Sequence, residues 1–303
     1  MAYRDLREFL GMLEAEGQLV RVRDEVMPEP DIAAAGRAAP NIDNGPAVLF
    51  ERIKGYHNPA VVNVHGSWAN HALMLGMPKT TTIKEQFYEL DRRWSQYPVK
   101  PRWVPTGPVK EVVIKKDINL FDVLPLFRVN QYDGGFYISK ALVVSRDLED
   151  YDNPNKQNVG TYRLQVKGKD LLGIQALPFH DIGIHLRKAE ELNEPLPVAI
   201  CIGNDPVLTF MASTPIAYDQ SEYDFAGALR QEPVELTKSE TGNLDIPSGA
   251  EVVLEGYIIP RKRSVEGPFG EFPGSYSGAR LQAEIKIHTI THRVNPIFEN
   301  LYR

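Results

Sequence analysis

The sequence predicts an α+β fold: an N-terminal α/β domain over residues 1–108, then a largely antiparallel sheet or barrel with helical insertions over 109–303. Three observations carry that reading. The first third mixes helical and strand-like apolar spacings. A stretch at 97–108 holds four prolines and one glycine, the best linker candidate in the chain. Beyond it, strand-like runs outnumber helical ones.

Each element has a local reason. Leu6, Phe9, Leu10 and Leu13 recur at i, i+3, i+4 and i+7, which predicts a helix that Gly17 can end. Residues 19–22 read as a strand, and Pro28 and Pro30 introduce a helical stretch over 31–39. Residues 47–50 and 60–64 are apolar and partly β-branched, so they read as strands. Thr82 and Glu85 form a capping-box pattern that opens a helix containing Phe87, Leu90 and Trp94. After the proline-rich stretch, residues 136–145, 160–166, 171–176, 198–202, 252–259 and 282–291 are strand-like. One helix follows Asp181, with Ile182, Leu186, Ala189 and Leu192 on one face. Another spans 221–230, with Phe225, Ala226 and Leu229 inward.

Composition removes several function classes. The chain has 303 residues, 34 Lys plus Arg against 40 Asp plus Glu, and a net charge of −6. That balance argues against a nucleic-acid-coating surface or a basic membrane patch. A single cysteine, Cys201, excludes an intramolecular disulfide framework and a multi-Cys zinc site. The N-terminus is charged where a signal peptide would be apolar, so a soluble cytoplasmic protein is expected.

Several groups could carry chemistry. Glu266-Gly267-Pro268-Phe269-Gly270-Glu271 sets two carboxylates around a turn that glycine and proline keep out of a helix. Such a pair can split into one acid and one base; the plainer alternative is a surface turn with two solvated glutamates. In the 158–163 segment, Asn158 and Arg163 point to opposite faces of an extended chain unless Gly160 marks a bulge. Arg163 either clamps a carboxylate in a pocket or lies on the surface. His180 sits at a strand-to-helix junction, where it serves a metal, a phosphate or only a cap. Glu222 opens the 221–230 helix, where complementing the helix dipole is its ordinary role. Asn, His and Glu side chains together suit Mg²⁺ or Mn²⁺. The histidines at 57, 65, 71, 288 and 292 show no ligand spacing. There is no phosphate loop, dinucleotide fingerprint or nucleophile elbow. Cys201 lies in an apolar strand and reads as core.

Taken in order, these segments resemble the UbiD-like decarboxylases. The residues concerned are 158–163, Phe179-His180-Asp181, the run at 221–229 beginning Ser221-Glu222-Tyr223, the run at 249–256, and 266–271. Met1-Ala2-Tyr3-Arg4-Asp5, Gly66-Ser67-Trp68-Ala69-Asn70-His71 and Met74-Leu75-Gly76-Met77-Pro78-Lys79 support a narrower match. They are similar to a subunit of the bacterial nonoxidative hydroxyarylic acid decarboxylases, which act on 4-hydroxybenzoate, protocatechuate or vanillate. The resemblance covers essentially the whole chain.

The resemblance implies prenylated FMN as cofactor and a flavin-reductase-like split β-barrel as the second domain. It implies Asn158, His180 and Glu222 as ligands of Mn²⁺ or Mg²⁺ bridging the cofactor phosphate, with K⁺ nearby. Thr161, Tyr162, Arg163 and Leu164 would line the cofactor, with Phe179 and His180 beside it. Phe179 stands where members often carry Gln. Arg163, Glu266 and Glu271 would form the catalytic set. An aryl carbanion needs an electron sink that no side chain provides, so the protein's part is position and protons. Implied partners are a small aromatic acid, a flavin prenyltransferase, a small accessory subunit and further copies of the chain, with neither nucleic acid nor membrane. Family members are longer, and the chain stops on an apolar run at 296–303, so a C-terminal oligomerisation region is expected beyond it. Two other functions fit parts of the pattern: an ordinary FMN reductase, and a noncatalytic flavin-binding subunit.

Overall fold

The protein is described by a computed structural model covering residues 2–301. Met1 of the opening motif and Tyr302 and Arg303 of the terminal run lie outside the described residues. The first helix, α1 (Leu6–Ala15), is capped by the Asp5 side chain and buries Leu6, Phe9, Leu10 and Leu13. Gly17 follows it at φ 71°, a left-handed conformation that glycine takes without strain. Then come β1 (Leu19–Val22), α2 (Ala33–Ala38), β2 (Ala47–Phe50) and β3 (Ala60–Val62). α2 is shorter than the pattern suggests because irregular turns at Pro28–Ile32 and Ala39–Asn41 flank it. α3 (Trp68–Met74), capped by Ser67, is a helix that the sequence pattern does not predict. α4 (Ile83–Trp94) starts on the Thr82/Glu85 capping box with both reciprocal bonds made.

The remainder runs β4 (Arg102–Trp103), β5 (Val112–Ile114), α5 (Leu120–Val123), β6 (Tyr137–Ile138), β7 (Ala141–Arg146), β8 (Gln157–Thr161), β9 (Leu164–Val166) and β10 (Leu171–Ile174). It continues through α6 (Asp181–Leu192), β11 (Leu196–Ile202), α7 (Pro206–Met211), α8 (Glu222–Arg230), β12 (Glu235–Lys238), β13 (Asp245–Pro247), β14 (Val252–Glu266), β15 (Phe269–Gly270), β16 (Tyr276–Ser277), β17 (Arg280–His292) and β18 (Phe298–Glu299). Two runs expected as single strands, 136–145 and 160–166, are each broken in two.

Those breaks shape the fold. The large sheet has the strand order β6-β9-β10-β17-β14-β11-β7-β8, with β5 added beside β17. β6 and β7 are joined by Ser139 and Lys140 alone, and β8 and β9 by Tyr162 and Arg163 alone. In a flat sheet each of these pairs would stand six strand spacings apart, about 29 Å. A two-residue connection reaches only about 10 Å. The sheet must therefore curl until its two edges meet, and both short connections cross the seam. Register shifts at Glu255/Gly256 and between Ile258 and Arg263, where β14 pairs with β17, supply the local bending.

Both faces of this sheet are covered, which is why its strands read as unbroken apolar runs rather than alternating ones. Val143, Ile200, Leu254, Ile285 and Ile287 face one core cluster. Leu142, Val144, Ala199, Cys201 and Val253 face another, shared with α1, α7 and α8. Cys201 is fully buried, and burial pushes its thiol pKa well up. The proline-rich segment is strapped across α8. The Tyr97 ring stacks on Phe225 at 3.9 Å, and Val99 N donates to Asp224 O at 3.3 Å. β4 then pairs with β12.

β18 extends the smaller sheet, of order β1-β2-β3-β18, and brings two polar residues to the seam. Asn300 Oδ1 accepts from Ser139 N and Oγ, while its Nδ2 donates to Tyr137 O. Lys140 Nζ donates to Glu299 Oε1 at 2.6 Å and to His65 Nδ1 at 2.8 Å, all largely buried. Glu299→Ala would strand a buried lysine and is expected to lower unfolding free energy by about 3–5 kcal/mol in denaturant titrations. Asp170→Ala, at the more exposed Lys286 pair, should cost less than about 1 kcal/mol. Equal effects would contradict the seam's role in stability.

Candidate active site

Arg163 leaves the sheet at the seam and turns its guanidinium onto the end of β14. Its Nε and Nη2 donate to the two oxygens of Glu266, at 3.0 and 2.9 Å. Nη1 pairs with Glu271 Oε1. Glu266 is completely buried and Arg163 nearly so, whereas the Glu271 side chain is 28% exposed. The expected loop between the glutamates is a cis Gly267-Pro268 turn that feeds the β15–β16 hairpin, with Gly267 at φ 93°. Phe269 of this hairpin lies under the guanidinium, 5.0 Å from ring centroid to Cζ, and packs on the Tyr137 ring at 4.5 Å.

Glu266 has no oxygen to spare. Besides Arg163, its Oε1 accepts from Tyr137 OH at 3.0 Å. Bidentate pairing plus a third donor is the condition under which a buried carboxylate is tolerated. Tyr137 itself is held far from ionisation by burial and by the Glu266 charge. Of the five N–H donors of a guanidinium, three are used here, so one on each terminal nitrogen remains to meet a carboxylate. Spacing alone gave no sign of Tyr137, which lies 129 residues from Glu266.

A second group lines a cleft of about 350 Å³ formed by Asn158, Gly160, Thr161, Tyr162, Phe179, His180, Asp181, residues 212–216 and Glu222. It thus gathers all three expected metal ligands and four of the six expected cofactor contacts. Asn158 lies on β8, His180 is the N-cap of α6, and Glu222 opens α8. Gly183 fixes α6 close to the preceding turn, since a Cβ there would fall 2.0 Å from Leu177 O. Gly160 leaves room for the Tyr162 ring, which a Cβ would meet at 2.5 Å. Leu164 turns its side chain into the core, and its strand is paired on both edges, with Ile138 of β6 and Ile174 of β10 in register with it. Phe179 is 75% exposed, edge-on to His180. Ser213, which the sequence did not single out, donates to Thr161 Oγ1 at 3.1 Å.

The electrostatics of this cleft differ from those of the arginine site. Burial pushes the Glu222 carboxyl up to about 8, with the nearby Asp181 charge adding to the effect. Burial raises Asp181 as well. Among the described residues, Glu222 Oε2 has no hydrogen-bond partner. Those residues hold no group of three or more His, Cys, Asp or Glu around a common point; the candidate set includes an Asn, so such a grouping does not capture it. A buried, unpartnered carboxylate oxygen beside an amide and an imidazole fits a hard or borderline divalent cation. Those residues also include no helix long and apolar enough to cross a membrane.

Several known proteins are similar to this chain over nearly its whole length. The 3-octaprenyl-4-hydroxybenzoate carboxy-lyase (UbiD) Rift-related domain matches residues 102–303, and the N-terminal domain of the same family matches 10–90. A phenolic acid decarboxylase of Sedimentibacter hydroxybenzoicus is 65% identical over 99% of this chain. The closed form of the vanillic acid decarboxylase of that organism, VdcCD, superposes with a TM-score of 0.99 at 64% identity over 100% of this chain. An evolved dimeric form of the UbiD-class enzyme HmfF from Pelotomaculum thermopropionicum, in complex with prenylated FMN, gives 0.90 at 36% over 99% of this chain and 68% of its own. The chain spans 64% of the length of the two Sedimentibacter proteins.

The Glu222 shift has a signed consequence. Its folded pKa lies above the unfolded value, so without metal the chain loses stability as pH rises from about 4.5 through 8. Metal-free Glu222→Gln is therefore expected to melt above the native chain at pH 8.5, with the gap shrinking at pH 5.5. Added Mn²⁺ should raise the melting temperature of the native chain and leave that of the variant unmoved. A gap independent of pH would count against this account.

Proposed function

This chain belongs to the UbiD carboxy-lyase family, and from that premise we propose that it carries out nonoxidative, reversible decarboxylation of a hydroxybenzoate, with 4-hydroxybenzoate, protocatechuate and vanillate as the candidate substrates. The observation that carries the proposal is the Arg163–Glu266–Glu271 cluster standing on the same short seam crossing as the Thr161–Tyr162 wall of the metal cleft.

When bound, prenylated FMN would supply the electron sink that loss of CO₂ from an aromatic ring requires. Asn158, His180 and Glu222 would hold Mn²⁺ or Mg²⁺, with K⁺ beside it, as anchors for the cofactor phosphate. Thr161, Tyr162, Arg163, Leu164, Phe179 and His180 would line the flavin. We describe the curled sheet accordingly as a flavin-reductase-like split barrel, preceded by an N-terminal domain ending at residue 108.

Arg163 orients the substrate carboxylate with its two remaining N–H groups. Glu266, saturated by Arg163 and Tyr137, fixes the guanidinium and does not exchange protons with substrate. Glu271, partly in contact with solvent, delivers the proton that replaces CO₂ on the ring carbon. The acceptor is a small aromatic acid. A flavin prenyltransferase would provide the cofactor, a small accessory subunit and further copies of the chain would complete the assembly, and the cytoplasm is its place of action.

The test is CO₂ release from the three acids by the chain co-produced with a flavin prenyltransferase, with Mn²⁺ and K⁺ at low oxygen. Turnover with a bound flavin of prenylated mass is expected. Unmodified FMN with nicotinamide oxidation would point to a reductase instead, and absence of both would overturn the proposal. Glu271→Gln should retain the flavin and lose about 10²-fold or more in kcat; unimpaired turnover would refute the assigned role.

A further inference from the structure

We infer that Asp133 and Tyr137 are positioning residues that hold Glu266 and Glu271 in register through the 130–137 segment. The inference rests on the decarboxylase reading for the roles of Glu266 and Glu271, and on geometry for everything else. Asp133 is buried, and its two oxygens serve two different backbones. Oδ1 accepts from Gly270 N at 2.7 Å, one residue before Glu271, and Oδ2 accepts from Asn130 N at 2.8 Å. The carboxylate thus ties the hairpin carrying Glu271 to its own turn. Four residues on, Tyr137 OH donates to Glu266 Oε1.

Between these two contacts the backbones lock together. Gly134 N donates to Pro268 O at 2.7 Å. Gln165, two residues beyond Arg163, bridges both segments: its Nε2 donates to Gly134 O at 3.0 Å and its Oε1 accepts from Gly267 N at 3.3 Å. Nothing larger than glycine fits. A Cβ at Gly134 would fall 2.3 Å from Gly267 O, and one at Gly270 would fall 2.5 Å from Asn130 Nδ2. A six-residue loop with two glycines and a proline has little helical or sheet support of its own. Here its position is set from outside, at both ends and in the middle.

The roles of the two residues differ. Asn at position 133 keeps one acceptor but presents an N–H₂ to a backbone donor, so one of the two ties is lost. Tyr137→Phe keeps the ring against Phe269 and removes only the hydroxyl, which donates to Glu266 Oε1 at 3.0 Å and reaches Pro268 O at 3.5 Å. Neither side chain lines the metal cleft, so cofactor binding should survive both changes.

The test compares native chain, Asp133→Asn and Tyr137→Phe, each loaded with prenylated FMN. Amide hydrogen exchange over 267–271 and the separate kcat and KM of CO₂ release are measured. Asp133→Asn is expected to speed exchange at this segment about tenfold and to lower kcat about tenfold, with KM within about twofold. Tyr137→Phe is expected to lower kcat about fivefold with the same split. Native exchange and native kcat in both variants would overturn the inference. So would a parallel loss of kcat, bound flavin and melting temperature, which marks a merely structural role. If the native chain itself shows no turnover, the decarboxylase reading fails, and the exchange contrast alone decides whether the clamp exists.

Discussion

Closure of the large sheet is the constraint from which the rest follows. Two crossings of two residues each join opposite edges of the strand order, so the sheet curls and its edges leave a seam. A seam cannot complete its ladder, and the backbone and polar groups there need other partners. On one crossing Asn300 and Glu299 answer Ser139 and Lys140. On the other, Tyr162 turns to the cleft and Arg163 to the glutamates. The residues proposed to carry chemistry thus sit at or beside a connection that belongs to no strand.

The two sides of that crossing are prepared in opposite ways. At Arg163 the charges are saturated: a guanidinium, a buried carboxylate and a phenol satisfy one another, leaving a partly exposed glutamate at the rim. At Glu222 the charge is undersatisfied, with a buried orphan oxygen and a second carboxyl nearby. The first arrangement holds the guanidinium fixed, as the proposed anion clamp and proton transfer would require. The second, with its raised carboxyl, weakens the metal-free chain as pH rises, and on the proposed reading a cation would relieve it.

Much of this was legible from local signals. The Thr82 capping box, the apolar stripe of α1 and the core position of Cys201 follow from spacing and residue type. The run at 160–166 misled because Leu164 and Val166 continue the β pattern of 157–161, and only long-range pairing reveals that the chain changes edges at Tyr162. α3 and α7 are short helices stabilised by tertiary contacts, so their periodicity is too brief to detect. The candidate site residues were found by resemblance to a family, since each taken alone has an ordinary structural explanation. Tyr137, Asp133 and Gln165 escaped both routes: their contacts to the 266–271 loop reach across roughly a hundred residues or more, and no motif links them.

The central claim is a division of labour in which Glu266 anchors Arg163 and Glu271 moves the proton. It is tested most directly by deuterium incorporation into the ring of phenol, catechol or guaiacol in D₂O, catalysed by the cofactor-loaded chain at the carbon that would carry the carboxylate. The account predicts incorporation by the native chain, none by Glu271→Gln, and a slowed but measurable rate in Glu266→Gln. Incorporation that persists in Glu271→Gln and vanishes in Glu266→Gln would reverse the two roles and contradict it.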